Sequence, residues 1–328
     1  KKVVFIILDG IPAEELEKTP TPNLDQIAKV GGYARAFTGG EKDGPSQTPT
    51  ISAVGYNSLL TGTWANKHNV WDNDIAAPNY SYWTIFRLMP EAKPELDDAF
   101  KIKAAELDIE TYVHAPFLIN LGSPTEATYL NSLASTKYSL QRGSDIGALG
   151  VVIHTGSAVD VNHVEKAWKQ IHEGMMPILN ALGDDAPFLL LEPTAGQGQS
   201  LVKKLDDLEM YLKALEYHPK VGICLDTCHV FAAGHDISVK GGMTATIDLL
   251  VEVAGIERFQ LVHANDSMDV CGALKDRHQN IGDGHIGVDP FKELLSHPAV
   301  ANAPLILETP GMEPEHGKEV ALLKKLRG

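Results

Sequence analysis

Six apolar runs in this 328-residue chain each end on a side chain that can bind a metal ion. The runs are IETYVHAP, LGVVIHTGS, PFLLLEPTAG, VGICLDTCH, FQLVHANDS and PLILETPG, and the groups at their ends are His114, His154, Glu192, Asp226, His263 and Glu308. One such ending is ordinary, because strand ends meet solvent and polar residues belong there. The same ending six times calls for a common cause. A second set lies close by in sequence: His229, three residues past Asp226, and the pair Asp276 and His278 in KDRHQNIGDGHIG. Two residues apart in an extended loop, Asp276 and His278 point the same way. The five histidines and four carboxylates together make a nitrogen–oxygen donor set suited to zinc or manganese and poor for magnesium alone. Cys224 and Cys228 bracket Asp226, but C-x-x-x-C without a second pair is no zinc ribbon, so both are expected to be small buried packing residues.

The elements that must position these groups are legible from about residue 108 onward. Apolar, β-branched runs alternate with amphipathic, helix-length segments such as LVKKLDDLEMYLKALEYH, where Leu201, Leu205, Leu208, Leu212 and Leu215 fall at three- and four-residue steps. Near-continuous apolar strands alternating with helices predict a parallel sheet covered on its outer face. In a (β/α)8 barrel all strand C-termini converge on one face, which would gather the six terminal groups into an inward ring. The expected fold is therefore α/β, a TIM-type (β/α)8 barrel.

Composition sets outer limits. With 44% hydrophobic and 22% charged residues the chain is expected to be globular. No stretch approaches the roughly 18 apolar residues of a membrane helix, and the apolar start KKVVFIILDGIPAEE turns polar too early for a signal peptide, so a cytoplasmic location and no membrane partner are expected. Three cysteines form no disulfide framework, which suits a reducing compartment. The net charge of −15 would argue against nucleic acid, but metal-binding carboxylates remove the force of that argument, since each divalent cation adds two positive charges to the binding face.

The stretches HAPFLINLGSP, HTGS, EPTAGQGQ, GICLDTCHVFAAGHD, HANDS, KDRHQNIGDGHIG and LILETP resemble endonuclease IV, the zinc-dependent apurinic/apyrimidinic endonuclease family, over about residues 100–328. The resemblance implies a trinuclear zinc site, with manganese acceptable at one position. His114, His154 and Glu192 would hold one ion, Glu192, Asp226, His263 and Glu308 a second, and His229, Asp276 and His278 a third. It also implies hydrolysis of the phosphodiester 5′ to an abasic site in double-stranded DNA, as in base-excision repair, by a monomer. Glu192 and Glu308 would orient or deprotonate the attacking water. Phe117 and Leu118 stand where the family carries an aromatic–apolar pair that wedges into the DNA stack. The family's first two βα units are not recognisable here.

Residues 3–97 instead resemble the amino-terminal part of type I phosphodiesterase/nucleotide pyrophosphatases of the alkaline phosphatase superfamily, through VVFIILDG, TPTPNLDQIAKVGG and QTPTISAVGYNSLLTGTWANKHNVWDND. That resemblance maps a metal-binding aspartate to Asp9 and a nucleophile at a helix start to Ser52, with Thr50 as the alternative register. The family's Phe-Pro-Asn after the nucleophile reads Ala53, Val54 and Gly55, and its later metal ligands are missing, so Ser52 is expected to be a helix N-terminal residue without catalytic duty. The chain is accordingly divided into 1–97 and 98–328. Two strand segments, KVVFIILDG and GGYARAFTGG, offer to complete the barrel, since six strands plus two make eight.

The reading that follows is a metal-dependent phosphodiester hydrolase of endonuclease IV type. Its rivals are a catalytically impaired chimera that binds zinc or DNA, a metal-dependent sugar isomerase-like barrel, and nucleotide pyrophosphatase activity from the amino-terminal part. The isomerase leaves His229, Asp276 and His278 without a purpose.

Overall fold

The computed structural model describes residues 13–33, 39–41, 43–49, 51–72, 79, 95–311 and 314–328. The chain divides into two compact units, Lys1–Asp97 and Asp98–Gly328. KVVFIILDG and residues 34–38 of GGYARAFTGG lie outside the described residues, as do Asp9 and Thr50.

In the first unit the described elements are helical: α1 (Ala13–Lys18), α2 (Pro22–Gly31), α3 (Ser52–Thr61) and α4 (Ala65–His68). Proline opens α2, where its missing N–H costs nothing, and α3 ends on Gly62 in the left-handed conformation that favours glycine. Val54, Ala65 and Val70 make a small core of their own.

Helix α5 (Glu95–Glu106) straddles the division, and the second unit alternates strand with helix thereafter: β1 (Tyr112–His114), α6 (Glu126–Ile146), β2 (Gly150–His154), α7 (Val164–Leu179), β3 (Phe188–Glu192), α8 (Leu208–Ala214), β4 (Val221–Asp226), α9 (Thr227–Ala232), α10 (Gly242–Ala254) and β5 (Phe259–His263). A short antiparallel pair, β6 (Asp266–Ser267) and β7 (His278–Gln279), precedes α11 (Asp289–Ser296), β8 (Leu305–Ile306) and α12 (Glu315–Arg327). Six strands form one parallel sheet in the order β1-β2-β3-β4-β5-β8. Among the described residues no helix is long and apolar enough to cross a membrane.

The sheet has two apolar faces because its strands carry few polar residues. Val151, Ile153, Leu189, Leu191, Ile223 and Leu225 join the large core against the helices, where α7 contributes the stripe Ala167, Ile171, Met175 and Leu179 at four-residue steps. The other face holds a separate layer of Val152, Leu190, Cys224 and Leu261, flanked by Tyr112 and Ile306. Its packing is tight: a Cβ on Gly150 or Gly222 would come within 2.6 and 2.8 Å of Leu190, so this leucine needs glycine on both neighbouring strands.

One expected helix starts late. Leu201 and Val202 lie in a loop, a 3-10 turn covers Leu205–Asp207, and α8 begins only at Leu208. The Asp207 carboxylate accepts the N–H groups of Lys203 and Lys204 at 2.9 and 3.0 Å, which stops the helix from extending backward. The five leucines are all buried nonetheless, so their spacing reports a packed face and not helix length.

Candidate metal centre

Strand period places the site. Tyr112, Val152, Leu190, Cys224, Leu261 and Ile306 form the inner layer, and two residues further along each strand come His114, His154, Glu192, Asp226, His263 and Glu308. A step of two returns a side chain to the same face, so the six polar groups form a second layer directly above the apolar one. Glu308 lies two residues past the end of β8, not at the strand end itself, and still follows this rule. The register sets neighbours side by side: His154 opposite Glu192 and Asp226 opposite His263.

All nine singled-out side chains come together. Ligand atoms of His114, His154 and Glu192 lie within 4.8 Å of one another, as do those of Glu192, Asp226, His263 and Glu308, and those of His229, Asp276 and His278. Glu192 belongs to two of these groups. Its Oε2 is 3.2 Å from His114 Nε2 and 3.3 Å from His154 Nε2, and its Oε1 is 2.9 Å from His263 Nδ1. His263 Nδ1 also lies 3.1 Å from Glu308 Oε2. In the third group, Asp276 Oδ1 stands 3.1 Å from His229 Nε2 and 3.2 Å from His278 Nε2.

The imidazoles are oriented from behind. The second ring nitrogen Nδ1 faces a backbone carbonyl in three of them: Ala115 O for His114 (2.7 Å), Pro193 O for His229 (3.1 Å) and Glu308 O for His278 (3.1 Å). A neutral ring that donates through Nδ1 has only a lone pair at Nε2, and in each case that lone pair faces a carboxylate. Two acceptors face each other stably only with a proton or a cation between them. His229 Nε2 and His278 Nε2 are buried and make no hydrogen bond of acceptable geometry. Donors about 2.0–2.2 Å from one tetrahedral ion stand about 3.3–3.6 Å apart, close to the separations seen here. The residues present therefore fit divalent metal ions.

Electrostatics point the same way. Burial alone would raise the pKa of the Glu192 carboxyl, yet hydrogen bonds from His114, His154 and His263 hold it well below the usual range. Burial disfavours charge on His229 and His278, but the surrounding carboxylates, Asp226 and Asp276 foremost, push their pKa values up to about 10 and about 9. The cluster attracts positive charge, in the form of protons when nothing else is bound. Cys224 and Cys228 touch the same groups, and burial lifts both thiols to about 12, which favours their protonated form. Cys224 fills the inner layer.

The segment after β4 uses Asp226 twice. This residue ends the strand and is the N-cap of α9, its Oδ1 accepting His229 N–H at 2.8 Å. Cap and third helical position explain why an aspartate and a histidine stand three residues apart.

Phe117 and Leu118 sit on the rim, 70% and 75% exposed, and the Phe117 ring meets the His154 ring edge-on at 5.2 Å.

Three residues that sequence reasoning passed over support the centre. Asp266 is fully buried and accepts backbone N–H groups from Ser267, Gly282, Gly284, Ile286 and Gly287 at 2.7–3.2 Å. Glu319 accepts from Ile281 N, Asn280 Nδ2 and Thr309 Oγ1. Asn265 touches Asp226. The glycine spacing in NIGDGHIG was the available clue: a Cβ on Gly284 would lie 2.4 Å from Asp266 Oδ1.

In the first unit, Ser52 is the first residue of α3, with Ile51 as N-cap. A Ser–His pair not expected from the sequence lies nearby: Ser58 Oγ is 2.9 Å from His68 Nε2. It resembles a nucleophile with its base but has the wrong tautomer. His68 Nδ1 accepts the Val70 N–H, so the ring proton sits on Nε2 and points at Ser58, whose own proton goes to Val54 O. Burial lowers the His68 pKa below 6.5, so its contribution to stability is intact above the unfolded value and is lost as pH falls from there through the folded pKa. In an NMR titration the His68 ring should titrate below 6.5; Ser58→Ala should cost about 1–3 kcal/mol of local stability by stranding a buried donor, with no change in phosphodiester cleavage. An impaired cleavage rate in that variant would contradict the structural role.

Comparison with known proteins agrees with this fold. The xylose isomerase-like TIM barrel family model matches residues 74–326, and the type I phosphodiesterase/nucleotide pyrophosphatase model matches residues 3–114. A probable endonuclease 4 of Streptomyces avermitilis is 48% identical over 304 residues, covering 90% of this chain and 97% of that one. That match reaches well into residues 1–97, further than the motifs alone do. A probable endonuclease 4 of Streptomyces coelicolor is 54% identical over 239 residues, 73% of this chain and 81% of its own length. Among solved structures, endonuclease IV from Thermus thermophilus aligns with a TM-score of 0.61 at 25% identity, over 88% of this chain and 96% of that one. A D-tagatose 3-epimerase-like protein aligns at 0.55 with 18% identity, over 71% of this chain and 82% of that one, a likeness of fold alone.

Proposed function

This chain belongs to the endonuclease IV family of xylose isomerase-like TIM barrels, and from that premise we propose that it hydrolyses the phosphodiester 5′ to abasic sites in double-stranded DNA, using three zinc ions. The observation that carries the reading is the three ligand groups meeting at the C-terminal ends of six parallel strands, with Glu192 shared between two of them. The third group separates it from a sugar isomerase-like barrel, in which His229, Asp276 and His278 would have no task.

Bound divalent cations would supply Lewis-acid polarisation of the phosphoryl group and a water acidic enough to attack near neutral pH. His114, His154 and Glu192 would hold the first, Glu192, Asp226, His263 and Glu308 the second, and His229, Asp276 and His278 the third, with manganese acceptable at one position. The protein's own work is placement and proton handling. Glu192 is sealed from solvent, whereas the Glu308 side chain is 32% exposed at the mouth of the site; Glu308 can accept a proton from an attacking water and pass it outward, while Glu192 fixes the geometry around it. Phe117 and Leu118 present apolar surface on the rim, positioned to insert beside a missing base. The chain acts as a monomer in the cytoplasm.

The test pairs metal analysis by mass spectrometry of unsupplemented protein with cleavage of a duplex carrying one synthetic abasic site. About three zinc per chain and incision 5′ to the lesion, abolished by a strong chelator and restored by zinc, is the expected result. Three zinc without incision leaves a metal protein lacking this activity and sinks the substrate assignment. Incision unaffected by complete metal removal sinks the mechanism.

A further inference from the structure

We propose that Asn265 is a positioning residue of the metal centre, setting the Asp226 carboxylate and the Glu308 backbone at once; the assignment rests on the metal-centre reading above. Asn265 lies just past β5 and is fully buried. Its Nδ2 donates to Asp226 Oδ2 at 2.7 Å, and its Oδ1 accepts the Glu308 N–H at 2.8 Å. Both ends of one amide are thus committed to two different ligand-bearing residues, on the chain leaving β4 and the chain leaving β8. Only one amide orientation satisfies both partners, because a carboxylate cannot donate and an N–H cannot accept.

The amide is itself held. Asn265 N–H donates to Thr227 Oγ1 at 2.8 Å, and that hydroxyl donates to Asn265 O at 2.6 Å. Thr227 directly follows Asp226, so the two stretches are clasped through main chain and side chain together. The result at Asp226 is specific. Oδ1 takes the His229 N–H and Oδ2 takes the Asn265 amide, which leaves capacity on each oxygen for a cation, and Oδ2 lies 3.5 Å from His278 Nε2 in the third group. The amide is what defines which way Oδ2 turns. A buried amide kept only for packing would have no need to divide its donor and acceptor between two ligand residues.

Asn265→Asp keeps the shape and the acceptor toward Glu308 N but turns the donor toward Asp226 into a second acceptor; Asn265→Ala removes both. Each variant, stripped of metal, is titrated with zinc alone against a competing chelator, and its thermal unfolding is recorded without metal. Both variants are expected to unfold cooperatively and to bind at least one zinc about 10–100-fold more weakly, the usual cost of losing a partner behind a metal ligand, while at least one other zinc binds as in the unaltered chain. On abasic-site duplex, kcat should fall with KM nearly unchanged. Unaltered affinity for every zinc in both variants overturns the assignment alone, as does a uniform loss that tracks loss of the folding transition. Absence of zinc binding by the unaltered chain overturns the metal-centre reading along with it.

Discussion

Replacing Glu192 with glutamine should reduce abasic-site cleavage by at least the order of 10³-fold, since losing a single preorganised electrostatic partner at other active sites already costs 10²–10³. Glu192 is the member shared by two ligand groups, and three of its contacts, to His114, His154 and His263, are to ring nitrogens at 3.3 Å or less. Glutamine has the same shape, so the fold should persist and the defect should not be one of packing. The amide removes a negative charge from a buried position and turns an NH2 group toward a place built to hold a cation. Metal content should drop with the activity, because both groups that share Glu192 weaken. A variant that keeps its full complement of zinc and a tenth of its activity would show that Glu192 is not the bridge. Aspartate at 192 is a useful companion: it restores the charge but shortens the reach, so recovery of metal without recovery of rate would separate binding from geometry.

The second large effect is expected at Asp266, which touches no proposed ligand position. Its carboxylate gathers five backbone N–H groups, four of them from the segment Gly282–Gly287. Asp266→Ala strands those donors in a buried place. Each unsatisfied donor costs about 1–3 kcal/mol, and relaxation will recover part, so a net loss of about 4 kcal/mol is expected, at the upper end for single substitutions. That segment follows Asp276 and His278 in the chain, and Asp266–Ser267 pairs directly with His278–Gln279 as β6 against β7, so the variant should also weaken the third ligand group first. Urea unfolding read alongside metal content checks both parts. A variant within about 1 kcal/mol of the unaltered chain would mean that solvent replaces the carboxylate without cost.

Much of the centre was legible because strand ends and strand interiors obey one period. Runs such as PFLLLE and VGICLD announce strands buried on both faces, and the side chain two past an inner-layer residue must join the same face; that is enough to gather His154, Glu192, Asp226 and His263 without coordinates. What could not be read is the supporting shell. Asp266, Asn265 and Glu319 act by accepting backbone N–H groups 16 to 43 residues away, and nothing in the residues beside them marks such an acceptor; the only trace is the glycine spacing of the distant NIGDGHIG segment. Leucine spacing misled for a related reason: Leu201 keeps the helical step while lying in a loop, since burial rewards an apolar side chain whatever the backbone does. The amino-terminal segment resembles one family by motif, whereas overall identity to endonuclease 4 relatives runs through most of it, a signal spread too thinly over many positions to show in any short stretch.

The three groups also differ in when they can exist. His114, His154 and Glu192 come from β1, β2 and β3, three consecutive strands of the sheet. The group that shares Glu192 needs Glu308, which follows the last strand to pair. More than a hundred residues separate Glu192 from Glu308, so during synthesis at about 5–20 residues per second the first group is complete on the order of ten seconds before the second. An ion caught by the early group would pin three strand ends together while the rest of the sheet is still being made. On the three-metal reading the order of the ligands along the chain would become an order of loading, and an ion that later served the site would begin as a template for the strands that enclose it.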